Sequence, residues 1–129
     1  MTAARQGLGR SAERLVASRL AAEGFAIVER NVRVHTPELV GEIDLIALEG
    51  GELVFVEVKA GRGGSAAGPE RPALAVGRRK EVRLRRLART WLAGAGARPR
   101  FTSLRFDVVG VTIDAGGRVT AYEHIRSAF

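Results

Sequence analysis

Cysteine is absent, which excludes disulfide staples and thiolate metal sites and is compatible with a reducing compartment. Aromatic residues are scarce, with one Trp, one Tyr and five Phe. Several of these must serve the core, so a stacking-based single-strand binder is disfavoured. The two histidines, His35 and His124, lack ligand spacing and are given no role. No apolar run approaches the roughly 18–20 residues of a membrane span. The opening MTAARQGLGRSAERL also lacks an apolar run of signal-peptide length. A cytoplasmic protein with no membrane partner is therefore expected. Acidic side chains are outnumbered, 14 against 21 Lys and Arg, for a net charge of +7. That balance fits a polyanionic partner such as nucleic acid, and fits equally a coding bias toward Arg, Ala and Gly.

At 46% hydrophobic, the chain can bury a core without staples. It shows no internal repeat and no dividing linker, so residues 1–129 read as a single domain. Residues 7–23 read as a helix, because Leu8, Ala12, Leu15 and Val16 form an apolar stripe that Gly24 ends. Residues 25–34, FAIVERNVRV, read as a strand. GEIDLIAL and ELVFVEVK read as two strands joined at Gly50–Gly51. Residues 61–72, GRGGSAAGPERP, read as a mobile surface loop. Residues 74–95 read as a second helix with Leu84, Leu87, Ala88 and Trp91 as its apolar stripe. LRFDVVGVTI and RVTAYEHI, separated by DAGG, complete the order α-β-β-β-α-β-β. That order reads as an α/β or α+β sheet with helices packed on it.

The hairpin carries charges among its apolar residues. A two-residue turn at Gly50–Gly51 sets Leu48 opposite Leu53 and Ile46 opposite Phe55. Two steps outward, Asp44 is expected to face Glu57, and Glu42 to face Lys59. Paired carboxylates at about 4.5–5.5 Å repel one another, and burial increases the cost. A divalent cation between them, with a backbone carbonyl and waters, relieves it. The alternative is a surface face with scattered charges, against which stand Ile46, Leu48, Leu53 and Phe55 on the same face. Glu42 is explained by a cross-strand ion pair with Lys59.

Asp followed by Glu-x-Lys on the next strand resembles the signature of the PD-(D/E)xK nuclease superfamily. The runs GEIDLIA, LVFVEVK and RFDVVGV, with GRSAERLVASRLAAEGFAIVERNVR before them, resemble the YraN family of small predicted endonucleases. Gly9, Glu13, Gly24 and Asn31 stand at that family's characteristic positions. The chain departs from the family at Ala12, where a Gly is usual. It departs again at Ala60–Gly61, where Thr-Arg commonly follows Glu-x-Lys, with Arg62 one place later. The resemblance implies an α/β fold with a restriction-endonuclease-like core, a central mixed sheet flanked by helices, and a Mg²⁺- or Mn²⁺-dependent endonuclease acting on DNA, including branched or repair intermediates. It implies Asp44 and Glu57 as metal ligands with the Val58 carbonyl, and Lys59 as the group that orients the attacking water or stabilises charge on the phosphate.

Glu13 lies at the border of the first helix's apolar stripe and reads either as an exposed carboxylate or as a third acidic site residue; the resemblance favours the site. Lys80, four residues before Leu84, falls on an apolar stripe and either snorkels outward or points into a site; the resemblance favours the site, as a phosphate-contacting lysine. Arg78, Arg79, Arg83 and Arg86 lie on the opposite side of that helix. With Arg62 they are candidate phosphate contacts, or simply a solvated face. Asp107 reads as an ion-pair partner of Arg105 or another arginine. The rival to a nuclease is a non-catalytic nucleic-acid-binding or adaptor protein of the same fold. A homodimer or a larger repair complex is left open.

Overall fold

The computed structural model describes residues 3–63, 71–94, 96 and 98–129. Helix α1 (Ala3–Ala22) leads into strands β1 (Ala26–His35), β2 (Val40–Glu49) and β3 (Glu52–Arg62). Helix α2 (Arg78–Ala93) and strands β4 (Ser103–Ile113) and β5 (Val119–Ile125) follow. The strands form one sheet in the order β1-β2-β3-β4-β5. β3 and β4 are parallel and the other neighbours antiparallel, so the sheet is mixed. Antiparallel neighbours need only a short turn. The parallel pair needs a crossover, which contains α2.

Each helix covers one face of the sheet. Ala12, Val16 and Leu20 of α1 are fully buried and pack with Leu45, Ala47, Val54, Val56, Val109 and Val111. Gly24, at φ +102°, turns the chain out of α1 in a backbone state that other residues rarely adopt. On the opposite face, Leu84, Leu87, Ala88 and Trp91 of α2 pack with Ile43, Ile46, Leu53, Phe55 and Phe106. Phe55 is the centre of this layer, edge-on to Trp91 at 5.9 Å and stacked with Phe106 at 5.4 Å. Burial of one such side chain contributes about 1.5–3 kcal/mol. No helix among the described residues is long and apolar enough to cross a membrane.

The second helix starts later than its periodicity suggests. Pro72–Ala75 form a separate 3₁₀ turn, and Val76 and Gly77 are extended, so α2 begins only at Arg78. The turn is seated on Gly110 of β4. A Cβ at that position would lie 2.5 Å from the Ala73 amide nitrogen. The start of the expected loop is instead strand, since β3 continues to Arg62. The rest of that loop, residues 64–70, lies outside the described residues.

Candidate functional site

The hairpin register follows the count from the glycine turn, with Glu49 opposite Glu52, Leu48 opposite Leu53 and Ile46 opposite Phe55. The β2–β3 ladder then ends at Leu45 and Val56. The two facing pairs expected from the register, Asp44 with Glu57 and Glu42 with Lys59, lie beyond it. Nor does β2 keep a regular alternation up to Asp44. Ile43 and Ile46 both lie in the α2-side core, whereas residues three apart on a regular strand point to opposite sides. Alternation therefore breaks between them.

β1 breaks at the same level. Val32 packs in the α2-side core, and Glu29, three residues earlier, accepts a hydrogen bond from Trp91 Nε1 of α2 at 3.2 Å. Between them stands Asn31 at φ +50°. Its neighbours Arg30 and Val32 pair with Leu45 and Ile43, which puts Asn31 level with Asp44. The left-handed residue reverses the pleat, and β2 follows. Glu42 and Asp44 consequently reach Glu13 of α1, while Asp44 also stays close to Glu57, which is paired with Lys80 of α2.

Glu13 of α1 meets the pair. Glu13, Glu42 and Asp44 each present an oxygen within 4.8 Å of the others. Asp44 Oδ2 accepts a hydrogen bond from the Val58 amide at 2.9 Å, so a side chain takes over where the strand ladder stops. The amide and carbonyl of one strand residue point the same way, so the Val58 carbonyl opens onto the same gap. The Asn31 amide, oriented to donate, reaches Glu13 Oε2 at 2.5 Å and Glu42 Oε1 at 3.3 Å. Glu42 thus belongs to the carboxylate group and not to a cross-strand ion pair with Lys59. Periodicity alone missed this, because a broken pleat reassigns every face beyond the break. The available signal was Asn31 itself, a strand-depleted residue that tolerates left-handed backbone.

Glu57 is 5% exposed and accepts from Lys80 Nζ at 2.7 Å, with Lys59 Nζ at 3.9 Å from the same oxygen. Lys80 therefore points into the site and does not snorkel outward. Burial, with Glu57 and Glu13 close by, pushes the Asp44 carboxyl up to about 8 despite the Val58 amide and Lys80. Burial and the Glu42 charge also raise Glu13, against a hydrogen bond with Asp44. Burial and the adjacent Lys80 lower Lys59. Burial opposes the charge on Lys80, but Glu57 prevails and raises it. The arrangement is a cluster of like charges on one side and two ammonium groups on a single carboxylate on the other.

The expected phosphate contacts are spread more widely. Arg78, Arg79 and Arg86 are exposed on α2, and Arg62 is exposed at the end of β3. Arg83 is engaged, its guanidinium donating to the Val40 carbonyl. Asp107 is fully buried and paired as anticipated, accepting from Arg105 Nε at 3.0 Å. It also accepts from His124 Nε2 at 2.7 Å and from the Ser127 amide at 3.0 Å, a role for His124 that spacing did not reveal.

The sequence model of the Uncharacterised protein family UPF0102 matches residues 12–111, which include Glu13, Asn31, Glu42, Asp44, Glu57, Lys59 and Lys80. A UPF0102 protein of Moorella thermoacetica is 40% identical over 129 residues, covering the whole of both chains. One of Streptomyces griseus is 45% identical over 123 residues, covering 95% of this chain and 96% of its own. One of Frankia alni is 44% identical over 126 residues, covering 98% and 97%.

Proposed function

The chain belongs to the Uncharacterised protein family UPF0102, and since that name carries no chemistry, we propose from the site that it is a metal-dependent endonuclease that hydrolyses phosphodiester bonds in DNA. The reading rests on one juxtaposition. Three carboxylates lie within 4.8 Å of one another, beside a fourth that holds two lysines.

The donor set is all oxygen, which suits a hard cation such as Mg²⁺ or Mn²⁺. Asp44 is central to either arrangement. It would hold the cation with Glu13 and Glu42, or with Glu57 and the Val58 carbonyl, as the PD-(D/E)xK resemblance implies. When bound, the cation polarises a phosphate and lowers the pKa of coordinated water. The chain's own groups supply the rest. Lys59 and Lys80 offer positive charge at the edge of the carboxylates, where negative charge builds on a phosphate under attack. Arg62, Arg78, Arg79 and Arg86 offer exposed guanidinium groups to a nucleic-acid backbone. A non-catalytic binder of the same fold explains the arginines but gives no reason to gather four carboxylates beside a polyanion.

The test is Mn²⁺ and Mg²⁺ calorimetry with cleavage assays on linear and branched DNA, for wild type, Asp44→Asn and Glu57→Gln. We expect metal-dependent cleavage by wild type and at least a 100-fold loss in each variant. DNA binding without cleavage, unchanged by either substitution and by metal, would establish the binder instead.

A further inference from the structure

We infer that Asn31 is the positioning residue of the carboxylate group, acting through its backbone on Asp44 and through its amide on Glu13 and Glu42. The inference rests on the cation reading above and assigns a role to a residue that is itself no ligand.

Two separate features of Asn31 converge on the same three side chains. The first is conformational. Asn31 is one of two residues other than glycine that have positive φ among the described residues, and it lies inside a strand. Its left-handed state coincides with the reversal of the pleat in β1 and, level with it, in β2. Without the reversal, Ile43 would turn out of the α2-side core, and Glu42 and Asp44 would point away from Glu13. The second is chemical. The Asn31 amide offers two N–H groups, and the two acceptors in reach are Glu13 Oε2 at 2.5 Å and Glu42 Oε1 at 3.3 Å.

These features explain how three carboxylates from α1 and β2 stay together. A neutral amide bridges two of them while contributing no charge that would compete for a cation. An ammonium or guanidinium there would neutralise the group permanently, as Lys80 does for Glu57. Asparagine meets both demands at once, because it tolerates left-handed backbone better than most residues and its side-chain nitrogen only donates. Groups that orient metal ligands in this way characteristically change affinity by 10–100-fold when removed.

Asn31→Gly separates the two features, since glycine keeps the left-handed backbone and deletes only the amide. Its effect is read in two ways on the full chain. In chelator, a urea-unfolding cycle pairs Asn31→Gly with Glu42→Ala. We expect the folding constant to fall roughly five-fold when the amide is lost beside intact Glu42, and to fall by less once Glu42 is gone, when only the Glu13 contact is left to lose. In Mn²⁺ titrations, we expect Asn31→Gly to bind about 10-fold or more weakly than wild type while keeping the wild-type circular dichroism spectrum. Equal Mn²⁺ affinity, or an unfolding cost independent of residue 42, overturns the role given to Asn31. Coupling to Glu42 with no Mn²⁺ binding by wild type, alone or with DNA, overturns the cation reading. Asn31 then remains a structural bridge and nothing more. Asn31→Ala tests the conformational half. It places a Cβ on left-handed backbone and is expected to be less stable than Asn31→Gly; equal stability would reject the backbone role.

Discussion

Asp44 ends a strand ladder with its carboxylate and borders three other acidic groups, Glu13, Glu42 and Glu57. Burial and the charges of Glu57 and Glu13 hold its carboxyl at about 8. A carboxyl raised in the folded state lends stability that is complete below its unfolded value, about 4, and is lost as pH rises through about 8. Asp44→Asn keeps an oxygen for the Val58 amide and removes the charge. We therefore expect this variant to exceed wild type in stability by roughly 1–2 kcal/mol at pH 9 in chelator. The difference should shrink toward pH 5, as measured by urea unfolding. Asp44→Ala removes the acceptor as well and should fall below the Asn variant by roughly 1 kcal/mol. A ligand position commonly shows this opposition between stability and function.

At the scale of elements, α2 divides its labour by face. Leu84, Leu87, Ala88 and Trp91 are buried, Lys80 reaches the sheet, and Arg78, Arg79, Arg86 and Arg89 remain exposed. If that exposed face meets DNA phosphates, replacing Arg79 and Arg86 by Gln should weaken DNA binding regardless of sequence. It should also flatten the dependence of log affinity on log salt by about 2, which fluorescence anisotropy across a salt series would measure. A slope that does not change would assign this face to solvent. The apolar stripes of both helices and the hairpin register were legible because period and turn geometry determine them locally. The face of Asp44 and the membership of Glu42 were not. They depend on one left-handed residue in a neighbouring strand, and period-2 counting assumes an unbroken pleat. Lys80 was ambiguous for another reason. Whether a lysine at the edge of an apolar stripe snorkels or turns inward is decided by what lies opposite, and Glu57 belongs to a distant part of the chain.

At the scale of the whole molecule, two networks of several charged groups stand on the sheet among the described residues. Besides the carboxylate group, Arg105 ties Asp107 to Glu49 and Glu52, with Nη–O distances of 2.7 and 2.8 Å to the two glutamates. Asp107 in turn holds His124 and the Ser127 amide. Burial alone would raise the Asp107 carboxyl, but the bonds from His124, Arg105 and Ser127 bring it below the ordinary value. The stability this provides is present above about pH 4 and is lost as pH falls through the lower folded value. Asp107→Asn should therefore be less stable than wild type by roughly 2 kcal/mol at pH 7, and the gap should narrow under acid, as followed by thermal unfolding from pH 7 to pH 2. The two networks differ in kind: the Asp107 network is neutralised by the protein itself, whereas the Asp44 group collects like charges. The sheet also has a weak suture. β3 and β4 are stitched by eleven consecutive pairs and β2 and β3 by only five, after which the Asp44 carboxylate fastens the Val58 amide. Any ligand that draws on Asp44 therefore pulls on the fastening between the two halves of the sheet.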